Sequence, residues 1–196
     1  ALAAAAQSAG VGGFEWMEGV PGNVGGSLRM NAGAMGAEIF DHVVSVKMVN
    51  AEGEVFEKSA KEIRHYYRNV PELACNVAVS ALFQGEPSPD HEIAAMMEAS
   101  KAKRRSSQPI AASAGCIFKN PEGIGAGQLV EELGLKDTGV GEARVSEVHG
   151  NFIVNDRRAT AAEVLELIKQ IKAKALEERG IELETEVRII GQDEPV

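Results

Sequence analysis

Six of the eighteen residues from 19 to 36 are glycine, and the run is short of large side chains. Such a stretch is poorly suited to a long helix or a central strand, because each Gly loses backbone entropy and gives the core nothing to pack. Its closely spaced backbone N–H groups are free of side-chain obstruction. Where such a loop enters a helix N-terminus it can hold a pyrophosphate. A tight turn or close packing is the other reading of the same glycines. The spacing matches neither the Rossmann nor the P-loop pattern.

Around this loop the chain alternates between strand and helix signals without a regular βαβ order, which predicts an α+β fold. Residues 43–49 alternate around Val44, Val46 and Met48 and are rich in β-branched side chains, the mark of a strand. A turn at 51–54 and a second strand at 55–58 complete a hairpin. Ser59 and Glu62 are spaced as a capping box that opens a short helix before Tyr66 and Tyr67. A third strand is expected at 76–83. Two prolines between 85 and 90 predict a domain boundary, dividing the chain into 1–88 and 89–196.

Helix resumes from about His91 to Arg105, with Asp90 as the N-cap. Another is expected at 125–133, ended by Gly134. Residues 151–155 form a short apolar strand, and Thr160 and Glu163 form a second capping box. That box opens a helix with Val164, Ile168, Ile171 and Ala175 at helical spacing, ended by Gly180. A last strand is predicted at 184–190. The start, Ala1 to Ala9, is helix-forming but has no initiator Met and no cap; it reads as the interior of a helix, as in a fragment.

With a net charge of −9, the chain is a poor match for nucleic acid, whose phosphates require clustered Lys and Arg. Its one basic cluster, Lys101 to Arg105, reads as a solvated helix end. No apolar run reaches the length of a membrane span. Cys75 and Cys116 give neither a disulfide framework nor metal-ligand spacing, which fits a reducing cytoplasm, and the four His are scattered.

The segment 111–121 bears most directly on chemistry: Ala-Ala-Ser-Ala-Gly-Cys-Ile-Phe-Lys-Asn-Pro. In an extended chain Cys116, Phe118 and Asn120 would share one face, setting a thiol beside a carboxamide. A buried thiol before a turn at Pro121 is the plainer alternative. The run resembles the Ser-Ala-Gly-Ser-x-Phe-Lys-Asn-Pro signature of the UDP-N-acetylenolpyruvoylglucosamine reductase family, in which the second Ser donates a proton. Cys116 stands in that place here.

Four more segments carry the same resemblance. Residues 19–34 resemble the family's Gly-Ile-Pro-Gly-Thr-Val-Gly-Gly-x-x-x-x-Asn-Ala-Gly-Ala block, with Asn23 for Thr. Tyr67-Arg68-Asn69-Val70 resembles Tyr-Arg-x-Ser, with Val70 for Ser. Residues 183–191 resemble Leu-Glu-x-Glu-Val-Arg-x-x-Gly, and 145–155 resemble Val-Ser-Glu-Lys-His-Ala-Asn-Phe-Ile-Val-Asn.

The resemblance covers nearly the whole chain and implies an incomplete FAD-binding domain of the vanillyl-alcohol oxidase type, followed by an α+β substrate-binding domain. It implies NADPH-driven, FAD-dependent reduction of a nucleotide sugar's enolpyruvyl ether, by a cytoplasmic monomer. Arg68, Cys116 and Glu186 would be catalytic. Gly19, Pro21, Gly22, Asn23, Gly25, Gly26, Asn31 and Gly33 would line FAD, and Tyr67, Lys119, Asn120 and His149 the substrate. Residue chemistry is compatible with these roles: a guanidinium pairs with a carboxylate or enolate, a carboxyl assists proton transfer, and a free thiol, titrating near about 8.5, is a stronger acid than a serine hydroxyl. Taken singly, Arg68 reads as surface charge, Glu186 as a partner of Arg188 and His149 as structural. Alternatives are a nucleotide-sugar-binding relative without the chemistry, or another flavoprotein of the same fold. A lone fragment is expected to hold FAD weakly or not at all and to be inactive.

Overall fold

The computed structural model describes residues 1–191. The chain forms two compact units, Ala1–Arg104 and a second beginning at Arg105. In order, the first contains α1 (Leu2–Ser8), β1 (Val11–Gly12), α2 (Val24–Met30), β2 (Gly33–Ala34), β3 (Ala37–Glu38), β4 (Val43–Val49), β5 (Val55–Ser59), α3 (Glu72–Cys75), β6 (Val77–Phe83), β7 (Glu86–Pro87) and most of α4 (Asp90–Ser107).

Its main sheet is antiparallel, ordered β5-β4-β6. The β4–β5 turn is set by one side chain: Asn50 Oδ1 accepts the N–H groups of Glu52 at 3.1 Å and Glu54 at 2.8 Å, an Asx-type turn. The strict alternation expected of Val44, Val46 and Met48 is broken. The β4–β6 register shifts between Val43 and Ser45, so Val43, Val46 and Met48 are buried while Val44 is exposed. An extra residue in one strand reverses the faces on either side of it. The buried side chains meet Leu28, Ile39, Phe40, Ile63, Val70 and Leu73 in one core. Ser59 and Glu62 form the expected capping box, opening a single 3-10 turn.

The prolines at 85–90 do not mark the edge of this unit. β7 pairs with β1, Val11 opposite Pro87, and a Cβ on Gly85 would lie 2.2 Å from the Gly12 carbonyl oxygen. Ile93 and Met97 of α4 then close a second core with Ala3, Ala6 and Phe14. The division expected at 88/89 therefore lies inside the first compact unit. Nor is the basic cluster all solvated: Arg104 donates to the Glu18 carbonyl at 3.0 Å and the Trp16 carbonyl at 3.1 Å, and Lys101 pairs with Glu18.

The second unit contains β8 (Ser113–Cys116), α5 (Ala126–Glu132), β9 (Gly139–Val140), β10 (Ala143–Val145), β11 (Phe152–Val154) and α6 (Ala161–Arg179). Its antiparallel sheet runs β8-β11-β10-β9. Leu129 and Val130 of α5 and Leu167, Ile168, Ile171 and Ala175 of α6 share one core with Val145 and Ile153. Each large side chain so buried contributes about 1.5–3 kcal/mol. Thr160 and Glu163 form the second capping box, and Gly180 ends α6 at φ 65°, where the absence of a Cβ removes the steric penalty. The strand expected at 184–190 is reduced to one bridge, Thr185 opposite Phe118.

Replacing Thr160 by Ala removes the acceptor for the Glu163 N–H and should cost about 1 kcal/mol. The expected result is a lower urea midpoint at unchanged slope.

Candidate functional site

The glycine-rich run folds as a loop leading into α2. Asn23 caps that helix, its Oδ1 accepting the Gly26 N–H at 2.7 Å, and its carbonyl accepts the Ser27 N–H. Val24, Gly25 and Gly26 are all exposed, so the two glycines leave this first turn short of covering side chains. Gly22, at φ 103°, opens onto free space. A cavity of about 270 Å³ adjoins the loop, lined in part by Trp16, Val20, Gly22, Asn23, Val24 and Ser27. Trp16 is buried, and its Nε1–H has no hydrogen-bond partner among the described residues. A larger cavity of about 630 Å³, beside Glu15, His42 and Glu86, contains none of the residues expected at the site.

Asn31 and Gly33 have a different part from Gly22 and Asn23. Asn31 is 0% exposed; its Nδ2 donates to the Tyr66 carbonyl at 3.2 Å, and its Oδ1 accepts the Phe40 N–H. Both ends of its carboxamide therefore bind backbone. A Cβ on Gly33 would lie 2.7 Å from the Ala37 carbonyl oxygen, so close packing accounts for this glycine.

These two residues also hold Arg68. Tyr66 and Asn69 exchange backbone hydrogen bonds at 2.8 and 3.1 Å, which forces a two-residue turn through Tyr67 and Arg68. Arg68 sits in the left-handed region at φ 56°, a conformation costing a non-glycine residue on the order of 1 kcal/mol or more. Its guanidinium donates to the Gly33 carbonyl at 3.0 Å and the Asn31 carbonyl at 3.5 Å and lies 4.9 Å from the centre of the Tyr67 ring, within cation–π range. Val70, next along, is 0% exposed in the core. Its replacement by Ser would bury a hydroxyl and should cost about 2 kcal/mol, measurable by denaturant unfolding.

In the second unit, β8 carries Cys116 to its end opposite Phe152 of β11. Gly115 is left-handed at φ 82°, and past Cys116 the alternation expected of 116, 118 and 120 fails. Ile117 and Phe118 are both buried and Asn120 is exposed. The reason is that this backbone is paired on two sides. Ile117 N–H donates to the Asn151 carbonyl at 2.9 Å, Lys119 N–H to the Glu184 carbonyl at 2.9 Å, and Glu186 N–H to the Ile117 carbonyl at 2.8 Å. Glu186 is thereby fixed against the residue that follows Cys116. Cys116 and Glu186 are both partly exposed.

Lys119 forms an ion pair with Glu184. Asn120 Oδ1 accepts the Ala126 N–H at the start of α5, at 2.9 Å. His149 is half-buried against Phe152, ring centres 4.9 Å apart, and its Nδ1 accepts the Asn151 N–H at 3.1 Å, which puts the proton of the neutral ring on Nε2. Burial, seconded by the charge of Lys136, pushes the His149 imidazole below its ordinary value, against the opposing pull of Glu131. As pH falls the unfolded chain takes up this proton first. Stability from His149 is therefore present above about pH 6.5 and is lost as pH drops through the lowered folded value. An NMR titration should place the His149 midpoint below about 6.5, and His149→Gln should flatten that part of the pH–stability curve.

A family profile described as UDP-N-acetylenolpyruvoylglucosamine reductase, C-terminal domain, matches residues 108–190, and one described as FAD binding domain matches 1–59. The chain is 43% identical over 195 residues to the UDP-N-acetylenolpyruvoylglucosamine reductase of Agathobacter rectalis, across 98% of this chain and 62% of that one. It is 42% identical over 185 residues to that of Chlamydia muridarum, across 93% and 62%. A crystal structure of UDP-N-acetylenolpyruvylglucosamine reductase from Thermus caldophilus superposes at TM-score 0.84 and 36% identity, across 95% of this chain and 67% of that one. This chain belongs to the UDP-N-acetylenolpyruvoylglucosamine reductase family. It spans about three-fifths of the length of the curated relatives it matches. Within the family fold, the FAD-binding match covers the glycine-rich loop, and the C-terminal match covers Cys116, His149 and Glu186. Among the described residues no helix is long and apolar enough to cross a membrane, and no cluster of His, Cys, Asp and Glu could hold a metal ion.

Proposed function

We propose that this chain is the flavin- and substrate-handling part of a reductase that converts UDP-N-acetylglucosamine enolpyruvate to UDP-N-acetylmuramate, with NADPH as electron source, in peptidoglycan precursor synthesis. The observation that carries this reading is the meeting of two segments remote in sequence: Glu186 is hydrogen-bonded to the backbone of Ile117, directly after Cys116. The Gly22–Asn23 entry to α2, exposed and rich in glycine, fits the FAD diphosphate. The adjoining cavity offers apolar surface to another part of the cofactor. FAD, when bound, would supply the hydride chemistry.

The chain's own residues would do the rest. Arg68, already fixed by backbone carbonyls and by Tyr67, would meet the substrate carboxylate and stabilise negative charge developing beside it. Cys116 Sγ–H would donate the proton that completes the reduction, and the Glu186 carboxyl would orient or replenish it. Lys119 and Asn120 would lie toward the sugar and diphosphate, with His149 behind them. The proposal includes a cytoplasmic setting and a monomer. Cys75 and Cys116, neither of them in a disulfide, support the first.

Two measurements test this. FAD titrated into the chain should quench the fluorescence of Trp16, the only tryptophan, and Gly25→Val should weaken the effect by covering the first-turn N–H groups. In the flavin-loaded protein at the full length of its family, Cys116→Ala should leave reduction by NADPH intact and slow reoxidation by substrate roughly 100-fold or more. Cys116→Ser should retain activity. Reoxidation of Cys116→Ala at the parent rate would remove Cys116 from the mechanism. A protein without turnover that still binds the nucleotide sugar would favour the binding-only relative, whose supporting features are Val70 and Cys116 in place of the family's Ser residues.

A further inference from the structure

Asn151 is 3% exposed, and all four of its polar groups are engaged. Its Oδ1 accepts the Phe118 N–H at 2.8 Å and its Nδ2 donates to the Phe118 carbonyl at 2.8 Å. Its own carbonyl accepts the Ile117 N–H, and its N–H donates to His149. The reason lies in where the β8–β11 ladder ends. Cys116 is paired with Phe152, and a regular ladder would continue through the backbone around residue 150. That backbone instead packs on α5: a Cβ on Gly150 would lie 2.5 Å from the Gly127 carbonyl oxygen. A carboxamide has the same donor and acceptor as a peptide group, and Asn151 offers it to Phe118 where the ladder partner has turned away.

The consequence reaches both residues assigned to proton transfer. Phe118 is bridged on its other side to Thr185, and the Ile117 carbonyl between Cys116 and Phe118 holds the Glu186 N–H. We propose that Asn151 is a positioning residue for Cys116 and Glu186: its carboxamide fixes the backbone at Phe118, and that fixes the Ile117 carbonyl which ties the two segments together. The functional half of this statement rests on the roles proposed above for Cys116 and Glu186. The structural half does not.

Residue-resolved hydrogen exchange on the 196-residue chain tests the structural half without flavin or turnover. Asn151→Ala removes both hydrogen bonds; Asn151→Asp keeps the acceptor for the Phe118 N–H and removes the donor. In each, the amides of Ile117, Phe118 and Glu186 should exchange roughly tenfold faster or more, the scale of one lost buried hydrogen bond, while those of α6 and β4 keep parent rates. Should Asn151→Ala fail to fold, Asn151→Asp decides alone. Its carboxyl, once protonated at low pH, donates to the Phe118 carbonyl again, so protection at Glu186 should return relative to the parent at the same pH. Unchanged exchange at Glu186 in the folded variants, or acceleration spread equally over α6 and β4, would overturn the proposal.

In the flavin-loaded protein at the full length of its family, Asn151→Asp should lower kcat about tenfold or more with KM within about twofold. Loss confined to KM counts against a positioning role. If Cys116→Ala reoxidises normally, the assigned chemistry has failed, and the exchange result still stands or falls by itself.

Discussion

The main chain at Ile117 and Phe118 is held along both edges, by Asn151 and Phe152 on one side and by residues 184–186 on the other. Both side chains are buried, so this short stretch is a hub of the second unit's core as well as a strand edge. A backbone buried this deeply must satisfy every N–H and C=O, and each partner it finds brings a distant segment with it. The pairing with 184–186 brings Glu186 to Cys116. The pairing with Asn151 brings the His149 loop, and through Gly127 the start of α5.

Arg68 follows another logic, in which conformational strain is accepted for placement. A left-handed arginine is unfavourable by itself. It persists because Tyr66 and Asn69 close the turn around it, Asn31 anchors that turn from below, and two carbonyls receive the guanidinium. Asn31 is itself left-handed at the end of α2. The helix that presents its N-terminus to the loop at Gly22 and Asn23 thus positions Arg68 from its C-terminus. Val70, next to this turn, lies buried in the core. Its departure from the family's Ser is absorbed in the core, where a methyl pair packs more favourably than a hydroxyl.

Much of the fold was legible because its signals are local. The β4–β5 hairpin, the boxes at Ser59–Glu62 and Thr160–Glu163 and the stop at Gly180 each depend on residues within one turn of each other. The shifts were not legible. The register break after Val43 depends on β6, and the collapse of the expected last strand to a single bridge depends on how much of the edge beside Phe118 is available. The site divided in the same way. The resemblance pointed to Cys116, Arg68 and Glu186 for chemistry and to Asn31 for the cofactor; the structure adds that both ends of the Asn31 carboxamide bind backbone. The resemblance passed over Asn151, which sits within a quoted motif but reads in one dimension as an ordinary strand residue.

The sequence by itself determined which segments can be helix, strand or open loop, and which side chains have the chemistry to stabilise an anion or move a proton. Periodicity, caps and residue type are properties of a few neighbouring positions and need no partner. Only the tertiary structure decided which of those side chains are enclosed and which stay exposed. Burial and hydrogen-bond partners belong to pairs of segments far apart in the chain. The same carboxamide caps an exposed helix entry at Asn23 and is a fixed strut when enclosed with both ends on backbone, as at Asn31 and Asn151. Enclosure forbids an amide from leaving its hydrogen bonds unmade, and no spacing rule along one strand of sequence contains that information.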